Sequence, residues 1–341
     1  MGKVLVTGAT GFIGFHLVKA LVARGDGVTC LVRSSSSLDR IQPLGVQLAY
    51  GDVTDAASLP AAVAGKSVVY HVAGCTRALT RRQLYRVNQE GCRNMAEACA
   101  TAANPPVLVL VSSLAAAGPS APDRLRVETD PCQPVSDYGR SKRAGELAAE
   151  QFADRVPITV VRPPIVLGEA DAVGLSMFSA VARSRVHFVV GLAPRRYSVI
   201  HAADLAELLI LAAERGSRVL PPGLRHDATT EAQGYYFAAG EEHPTFGQLG
   251  RLIAEALGCR FVVVLPVALP VAWLAAASTE LVGQICRRPF YFRLDKWREA
   301  SASSWACSPA KAADELGFTA RRPLIERLRQ TVQWYRQERW L

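Results

Sequence analysis

The sequence begins with a glycine pattern that directly follows an apolar run. Lys3–Val6 is rich in the residues of a buried strand, and Gly8, Gly11 and Gly14 follow at intervals of three. Glycine permits a tight turn and lets backbone N–H groups approach a pyrophosphate closely. From Phe12 onwards the apolar residues recur with helical spacing, so the loop opens a helix whose N-terminus attracts an anion. The pattern therefore predicts an α/β fold that binds a dinucleotide.

Short apolar runs alternate with helical patterns through the first half of the chain. Strands are predicted at 28–32, 46–49, 68–72, 107–111 and 158–161, and helices at 12–24, 59–63, 88–103 and 138–152. Continuous apolar strands separated by helices are typical of a parallel sheet covered on both faces. We predict a Rossmann-type, doubly wound parallel sheet that forms a dinucleotide-binding domain over residues 1–165.

The pattern changes after about residue 166, where glycine, proline and short segments become frequent. A segment near 196–215 has a strand pattern followed by a helix, and we expect it to return to the first sheet. Two further strand patterns, Tyr235–Ala239 and Arg260–Leu265, are assigned to the second region. We predict a smaller α+β domain over residues 166–341 that mainly binds the substrate.

Composition argues against several classes of function. The net charge is +9, but the basic residues are spread along the chain, so we expect no nucleic-acid partner. The eight cysteines have no zinc-ligand spacing, and we expect reduced thiols and no metal site. The N-terminal strand pattern is not preceded by a signal peptide, which favours a cytoplasmic protein.

The end of the second predicted strand distinguishes between the two nicotinamide cofactors. An acidic residue there would bind the adenine-ribose 2′-hydroxyl and repel a 2′-phosphate. The chain has Arg33 instead, and a guanidinium matches a phosphate in geometry and charge. We predict NADP in preference to NAD; the alternative is that Arg33 is only a solvated surface residue.

Three polar residues form the candidate catalytic set. Tyr138 and Lys142 are four residues apart in a predicted helix, so their side chains share one face. A neighbouring ammonium favours a phenolate and lowers the pKa of a tyrosine. Ser113 follows the strand Val107–Val111 at its carboxyl end, where ligands bind in open α/β sheets. We predict that Ser113 orients a carbonyl and Tyr138 transfers the proton, while Lys142 lowers the Tyr138 pKa and binds a ribose hydroxyl.

Further motifs occur along the chain in a fixed order. They are Gly51-Asp52-Val53, His71-Val72-Ala73-Gly74, Val87-Asn88, Arg162-Pro163-Pro164 and Ile200-His201-Ala202-Ala203-Asp204. With the glycine loop, Ser113, Tyr138 and Lys142, they resemble the extended short-chain dehydrogenase/reductase family of the NAD-dependent epimerase/dehydratase superfamily. The similarity is greatest to the 3β-hydroxysteroid dehydrogenase and dihydroflavonol reductase branches. It implies a Rossmann-type domain, a substrate domain and an NAD(P)-dependent oxidoreductase acting on CH–OH groups.

The glycine loop and the resemblance together predict a cofactor site. Its residues are Gly8, Gly11, Phe12, Ile13, Gly14, Arg33, Asp52, Val53, Ala73, Tyr138, Lys142 and Pro163. The resemblance places Asp52 and Val53 near adenine, Ala73 near the pyrophosphate or ribose, and Pro163 near nicotinamide. Structural alternatives stay open for several of the motif residues: Asp52 as a turn or cap residue, Asn88 as a buried amide, His71 as a satisfied core histidine, and His201 and Asp204 as structural groups.

The residues after Ser113 and Arg162 favour one branch of the family. Dehydratases carry an acidic pair shortly after the catalytic serine or threonine, whereas Ser113 precedes Leu114–Ala117. Many sugar-nucleotide epimerases carry an Asn soon after the residue that corresponds to Arg162, where this chain has Ile165. We predict interconversion of a ketone and a secondary alcohol on a hydrophobic steroid-, flavonoid- or lipid-like substrate. A nucleotide-sugar epimerase and a non-catalytic nucleotide-binding subunit are the alternatives.

The segment Phe261–Thr279 contains no charged residue. Pro266 and Pro270 interrupt it, which favours a strand followed by a helix that starts near Pro270. The favoured interpretation is packing inside the C-terminal domain. An apolar wall for a lipid-like substrate and peripheral contact with a membrane, assisted by Arg287 and Arg288, are the alternatives. A homodimer is a further expectation.

Overall fold

The structure, a computed structural model, describes residues 2–341. Its strands are β1 Lys3–Thr7, β2 Gly27–Val32, β3 Gln47–Tyr50, β4 Val68–His71, β5 Val107–Val111, β6 Ile158–Arg162, β7 Ile165–Leu167, β8 Val186–Val190, β9 Val199–His201, β10 Tyr235–Phe237 and β11 Val263–Val267. Seven of them form one sheet in the order β10-β6-β5-β4-β1-β2-β3, and every neighbouring pair is parallel. The predicted Rossmann-type sheet is confirmed.

Helices follow most of these strands. They are α1 Phe12–Ala23, α2 Pro60–Val63, α3 Arg81–Tyr85, α4 Gly91–Ala100, α5 Leu114–Ala117, α6 Asp137–Glu150, α7 Leu175–Ser184, α8 Ala202–Arg215, α9 Ala228–Ala232, α10 Phe246–Ala256, α11 Leu269–Ile285, α12 Leu294–Ser301, α13 Ala310–Leu316 and α14 Leu324–Gln337. A π-helical turn, Arg86–Glu90, joins α3 to α4. The helix predicted at 88–103 therefore belongs to a longer helical segment that begins at Arg81.

Helices cover both faces of the large sheet, as its continuous apolar strands require. On one face, Leu17 of α1, Leu209 of α8 and Leu316 of α13 pack with no exposed surface. On the other, Met95 of α4 and Ala149 of α6 do the same. Burial of such side chains is the main favourable term in folding, and it holds the carboxyl ends of the strands at one edge.

The carboxyl ends of four neighbouring strands position the site. β1 ends at Thr7, β4 at His71, β5 at Val111 and β6 at Arg162. The chain order reverses between β1 and β4, and ligands bind in the crevice at such a reversal. The glycine loop, Ala73, Ser113 and Pro163 all follow directly from these strand ends, so the fold brings the predicted motifs to one edge.

The second region contains two small parallel sheets, β7–β9 and β8–β11, and the helices α7, α10 and α14. Phe178 of α7 and Tyr335 of α14 meet edge to face at its centre, with ring centroids 5.3 Å apart. The assignment of Tyr235–Ala239 to this region is wrong, because β10 pairs with β6 at the edge of the large sheet. A strand of three residues is too short for its sequence pattern to show which sheet it joins, so only its pairing with β6 assigns it to the large sheet.

The uncharged segment Phe261–Thr279 forms β11 and most of α11, as the prolines predict. Packing inside the C-terminal domain is nevertheless contradicted, since only Ala272, Ala276 and Gly283 of the seventeen α11 residues are buried. No helix among residues 2–341 is both long enough and apolar enough to cross a lipid bilayer.

Candidate active site

The glycine loop has a geometry that only glycine can adopt at its tightest points. Gly8 has a φ of +68°, and a Cβ there would lie 2.7 Å from the backbone nitrogen of Ala73. A Cβ on Gly14 would lie 2.1 Å from the Gly8 carbonyl oxygen. Gly11 precedes α1, and no side chain of the described residues caps the N–H groups of that helix. These groups, beginning at Phe12 and Ile13, form a cradle that fits a pyrophosphate.

Basic groups lie at the end of β2, where the predicted adenosine contacts begin. Arg33, Ser36 and Arg40 line the same cavity as the glycine loop. Arg33 is exposed, and its side chain has no ion-pair partner within residues 2–341. Arg40 was not foreseen, because it follows a loop of unpredictable path. The Arg33 guanidinium has the geometry to bind a phosphate, whereas the Arg40 guanidinium lies over the Trp340 ring, 5.6 Å from its centroid.

Asp52 and Val53 also line this cavity, following β3. Asp52 Oδ1 accepts hydrogen bonds from both the backbone N–H and the hydroxyl of Thr54, each at 2.9 Å. The carboxylate therefore stabilises the turn in which it lies, which agrees with the interpretation of Asp52 as a turn residue. Because both bonds use Oδ1, Oδ2 retains its full capacity to accept a hydrogen bond from a ligand.

A hydrogen-bonded chain links the ends of β1 and β4. The Ala73 N–H donates to Thr7 Oγ1 at 3.0 Å, and Thr7 Oγ1 lies 3.1 Å from His71 Nδ1. Burial lowers the pKa of His71 to about 3, so its ring is neutral. Among residues 2–341 only one of its nitrogens has a partner, since Nε2 is buried without one. The interpretation of His71 as a satisfied core histidine therefore holds for Nδ1 alone.

Ser113 and Tyr138 meet at the carboxyl edge of the sheet. Ser113 Oγ caps α5 by accepting the Ala115 N–H at 3.2 Å. Burial raises the pKa of Tyr138 to about 12, and the interaction with the Ser113 side chain opposes that rise. The predicted lowering of the Tyr138 pKa is therefore contradicted. A raised pKa keeps the phenol protonated, which a donor of protons to an alkoxide requires.

Lys142 is buried one helical turn after Tyr138, on the same helix α6. Its ammonium donates to the Val111 carbonyl at 2.8 Å. Burial lowers the pKa of Lys142. Ser113 and Lys296, rather than Lys142, oppose the rise in the Tyr138 pKa, and one donor of Lys142 bonds to the backbone of β5. Two donors remain for a ribose hydroxyl.

Asn88 is a buried structural amide that links α6 to the loop after β4. Its Nδ2 donates to Ser141 Oγ at 2.9 Å and to the Cys75 carbonyl at 2.8 Å, while its Oδ1 accepts the Cys75 N–H at 2.8 Å. The residue lies in the π-helical turn Arg86–Glu90. Such turns insert an extra residue into a helix and occur often at functional sites. Here the turn directs the Asn88 side chain towards Ser141 of α6, the helix that also carries Tyr138.

A residue distant in sequence holds the start of this helix, and sequence reasoning missed it. Asp295 of α12 accepts the backbone N–H groups of Asp137 at 2.6 Å and Tyr138 at 3.1 Å. Glu299, one turn later, accepts from the Ser136 hydroxyl at 2.6 Å and pairs with Lys296 at 2.7 Å. Lys296 is close enough to Tyr138 to lower its pKa slightly. No motif marks these residues, since their partners are about 160 positions earlier.

A buried ion pair fixes the other end of the site. Arg162 makes two hydrogen bonds to Glu146 of α6, at 2.9 and 2.8 Å, and Arg143 adds a third at 2.9 Å. The Tyr235 ring lies 4.3 Å from the Arg162 guanidinium. Burial is expensive for both charges, and the paired geometry offsets that cost. Pro163, which follows Arg162, is thereby held against the cavity.

The site opens into a cavity of about 2080 Å³. Apolar residues of the second region that line it include Met177, Phe188, Val190, Leu192, Phe246, Val264, Phe290 and Phe292. Arg195 also lines it, but its guanidinium donates to the Val190 and Ser301 carbonyls. Arg196, Arg287 and Arg288 are not among the described lining residues. A diphosphate clamp built from those four arginines therefore has no support in this geometry.

His201 and Asp204 serve structural contacts away from the cavity. His201 lies 3.2 Å from the Glu169 carboxylate, and its Nδ1 caps α8. Asp204 pairs with Arg327 of α14. Within residues 2–341, no cluster of His, Cys, Asp and Glu has the geometry of a metal site.

Comparison with known proteins relates the whole chain to one family. The NAD-dependent epimerase/dehydratase family model matches residues 4–223. Ceramide reductase of Caulobacter vibrioides is 33% identical over 341 residues, which cover 100% of this chain and 96% of that protein. Sterol demethylase protein B of Methylococcus capsulatus is 30% identical over 263 residues, 74% of each chain. UDP-glucose 4-epimerase of Thermus thermophilus, solved with NAD, has a TM-score of 0.72 and 22% identity over 98% of this chain and 99% of that one.

Proposed function

This chain belongs to the NAD-dependent epimerase/dehydratase family, and from that premise we propose that it is an NADP(H)-dependent reductase of a ketone on a long-chain lipid. One observation carries the proposal. Ser113, Tyr138 and Lys142 adjoin the glycine cradle at the same edge of the sheet, and many of the second-region residues that line the cavity there are apolar. Region 166–341 is accordingly the proposed substrate-binding part.

The chain's own residues would hold the substrate and move the proton. Ser113 orients the carbonyl oxygen through its hydroxyl. Tyr138 carries the proton that this oxygen receives as it becomes an alkoxide, and its raised pKa keeps that proton in place beforehand. Lys142 binds the ribose with the donors that Val111 does not use.

Residues at the strand ends would hold the cofactor. Phe12, Ile13 and Gly14 offer their N–H groups to the pyrophosphate, Ala73 lies against the loop at Gly8, and Pro163 borders the nicotinamide position. When bound, the dihydronicotinamide supplies the hydride that reduces the carbonyl carbon. The products are a secondary alcohol and the oxidised cofactor.

Selection of NADP rests on Arg33, which directly follows β2, and Arg40 in the next loop lines the same cavity. Calorimetry with the purified chain should show NADPH bound more tightly than NADH. Because a hydrogen bond to a charged group contributes at least about 1.5 kcal/mol, Arg33→Asp should weaken NADPH binding at least about tenfold. Arg93→Asp, on an exposed face of α4, is the matched control and should change neither affinity. Tighter NADH binding by the unmodified chain would refute the assignment.

A lipid ketone as substrate is supported by the apolar wall and by the relatives. One relative that matches the full length of this chain is named a ceramide reductase, and another is named a sterol demethylase protein. Both names refer to large apolar molecules. Binding sites for such molecules are mostly apolar with a few placed polar groups. Ser113 and Tyr138 would be those groups here.

The substrate class can be tested by thermal shift followed by turnover. With NADPH present, an oxo-ceramide and a steroid ketone should raise the melting temperature, since each binds only the folded state. The oxo-ceramide should also consume NADPH, and Tyr138→Phe should abolish that consumption. Stabilisation by UDP-glucose alone, with no effect of either ketone, would replace the proposal by the epimerase alternative.

A further inference from the structure

Helix α11 presents its apolar side chains to solvent. Val271, Leu274, Leu281 and Ile285 recur at intervals of three, seven and four, which places them on one face. Their exposed fractions run from 60% for Val271 to 73% for Ile285. Trp273 is exposed on the same helix. A helix of this composition normally buries such a face.

The two-stranded sheet β8–β11 has an open apolar face as well. Leu265 pairs with Phe188 in register, so both side chains leave the sheet on the same side. Phe188 is 59% exposed and Leu265 41%. On the opposite side, His187 is buried against α10. The sheet is therefore covered on one face only, although both faces are apolar.

These exposed side chains adjoin the mouth of the cavity. Phe188 itself lines the cavity, as do Val264 and Val267 of β11. Ala272 and Ala275 of α11 line it too, whereas Leu274 and Ile285 of the same helix do not. The exposed apolar groups of the helix and the sheet are therefore continuous with the lining of the cavity. We call the exposed residues of α11, β8 and β11 the apolar rim.

Unpaired positive charge flanks the apolar rim. Arg260 precedes β11, and Arg287 and Arg288 follow α11; all three are exposed. Among the described residues none of them has an ion-pair partner, while the one acidic residue of 260–293, Glu280, already pairs with Arg293. A two-fold interface between copies must be complementary to itself. A rim whose free charges are all positive lacks that complementarity, whereas an anionic lipid surface supplies it.

We propose that the apolar rim binds an anionic bilayer surface, with α11 lying in the headgroup region and the cavity mouth facing the lipid. Exposed apolar side chains and Trp273 on α11, with arginines directly after the helix, favour contact with the headgroup region of an anionic membrane. A long-chain substrate would then enter the cavity from the bilayer without crossing water. This last step rests on the proposed function, whereas the binding to lipid does not.

Vesicle sedimentation tests the binding directly. The intact chain is mixed with phosphatidylcholine vesicles or with vesicles that also contain phosphatidylglycerol, and the bound fraction is measured at increasing salt. We expect binding to the anionic vesicles that falls as salt rises. Leu274→Glu with Ile285→Glu should abolish it. Arg287→Glu with Arg288→Glu should weaken it at least about 25-fold, since each basic residue near such a surface contributes about fivefold.

Matched variants separate the rim from general effects of charge. Leu147→Glu with Leu224→Glu alters two leucines that are exposed elsewhere, and Arg93→Glu with Arg322→Glu changes the net charge equally. Both controls should bind at least tenfold more tightly than their rim counterparts. Absence of binding to anionic vesicles, or equal loss in rim and control variants, would overturn the proposal.

Two further measurements distinguish the remaining outcomes. Light scattering measures the mass of the chain in solution. If the chain is a dimer that does not bind vesicles, and the double substitution Leu274→Glu, Ile285→Glu alone makes it a monomer, the apolar rim is an interface between copies and the proposal is overturned. Reduction of a short-chain ketone without vesicles tests the proposed function separately. The rim variants should retain that activity, because neither Leu274 nor Ile285 lines the cavity.

Discussion

Asp295 provides a quantitative test of how the second region controls the candidate active site. Its carboxylate accepts the first two N–H groups of α6, one of them from Tyr138. Loss of a helix N-terminal acceptor costs up to about 2 kcal/mol. Its side chain is 30% exposed, so water would replace part of the loss. We therefore expect Asp295→Ala to destabilise the chain by about 1 kcal/mol, or about 1–2 °C in melting temperature.

The functional effect should exceed that modest destabilisation. If the start of α6 relaxes, the Tyr138 hydroxyl moves relative to the substrate oxygen, and a 1 Å displacement costs about 100-fold in rate. Steady-state kinetics should show kcat lowered between about 10-fold and 100-fold, with KM for the ketone changed much less. Asp295→Asn retains one neutral acceptor and should give an intermediate kcat.

Asp227→Ala is the matched control for this experiment. Asp227 caps α9 by accepting the Thr230 N–H at 2.8 Å, away from the cavity. It should lower the melting temperature while leaving kcat unchanged. If Asp295→Ala loses stability but keeps full kcat at the same temperature, the inference that α12 positions Tyr138 is refuted.

Three further predictions concern the same site. Calorimetry should show normal NADPH binding by Tyr138→Phe, while its turnover falls at least about 100-fold. Lys142→Ala should lose turnover and also bind NADPH more weakly. Equal NADPH affinity in the two variants would contradict the assigned roles. Glu146→Ala should destabilise the chain by about 3–5 kcal/mol in urea unfolding, because Arg162 would be left buried without its partner; a loss comparable to that of an exposed pair would contradict this. His71 has a pKa of about 3 in the folded chain against an ordinary value of 6.5, so the unfolded chain binds more protons between these two pH values. The folding equilibrium should therefore become less favourable as the pH drops from 6.5 towards 3, by up to about tenfold per pH unit. The urea midpoint of His71→Gln should depend less on pH, and an unchanged pH dependence would exclude His71 as the source.

The features that the sequence predicts well are local ones. Gly8, Gly11 and Gly14 follow their strand directly, and Tyr138 and Lys142 lie within one helical turn of each other. In both cases neighbouring residues determine the geometry, so spacing suffices to predict it. The parallel sheet is predicted equally well, because each long apolar strand can be recognised from its own run of apolar residues.

The features that sequence reasoning missed depend on distant partners. Asp295 and Glu299 act on a helix about 160 positions earlier, and nothing in α12 marks them as contacts of Tyr138. β10 has only three residues, so its pairing with β6 decides its place. The raised pKa of Tyr138 depends on burial and on the distant charges of Glu299 and Lys296, and neither can be predicted from a four-residue spacing.

Helix α11 was misjudged for a different physical reason. An uncharged segment is expected to be buried, because apolar surface is costly in water. That expectation assumes that the chain alone supplies the cover. The exposed positions of Leu274 and Ile285 show that the rest of the described chain does not.

The late position of β10 in the chain has a consequence for biosynthesis. The core that supports the glycine loop includes Val4 from the start of the chain, Tyr236 beside β6, and Phe318 after α13. A ribosome releases these residues in order, so the core of the nucleotide-binding half stays incomplete until Phe318 has emerged. During synthesis the N-terminal segment therefore has an unpaired sheet edge, which favours aggregation or binding by a chaperone. For the same reason, a fragment truncated after residue 165 should not fold as an independent unit.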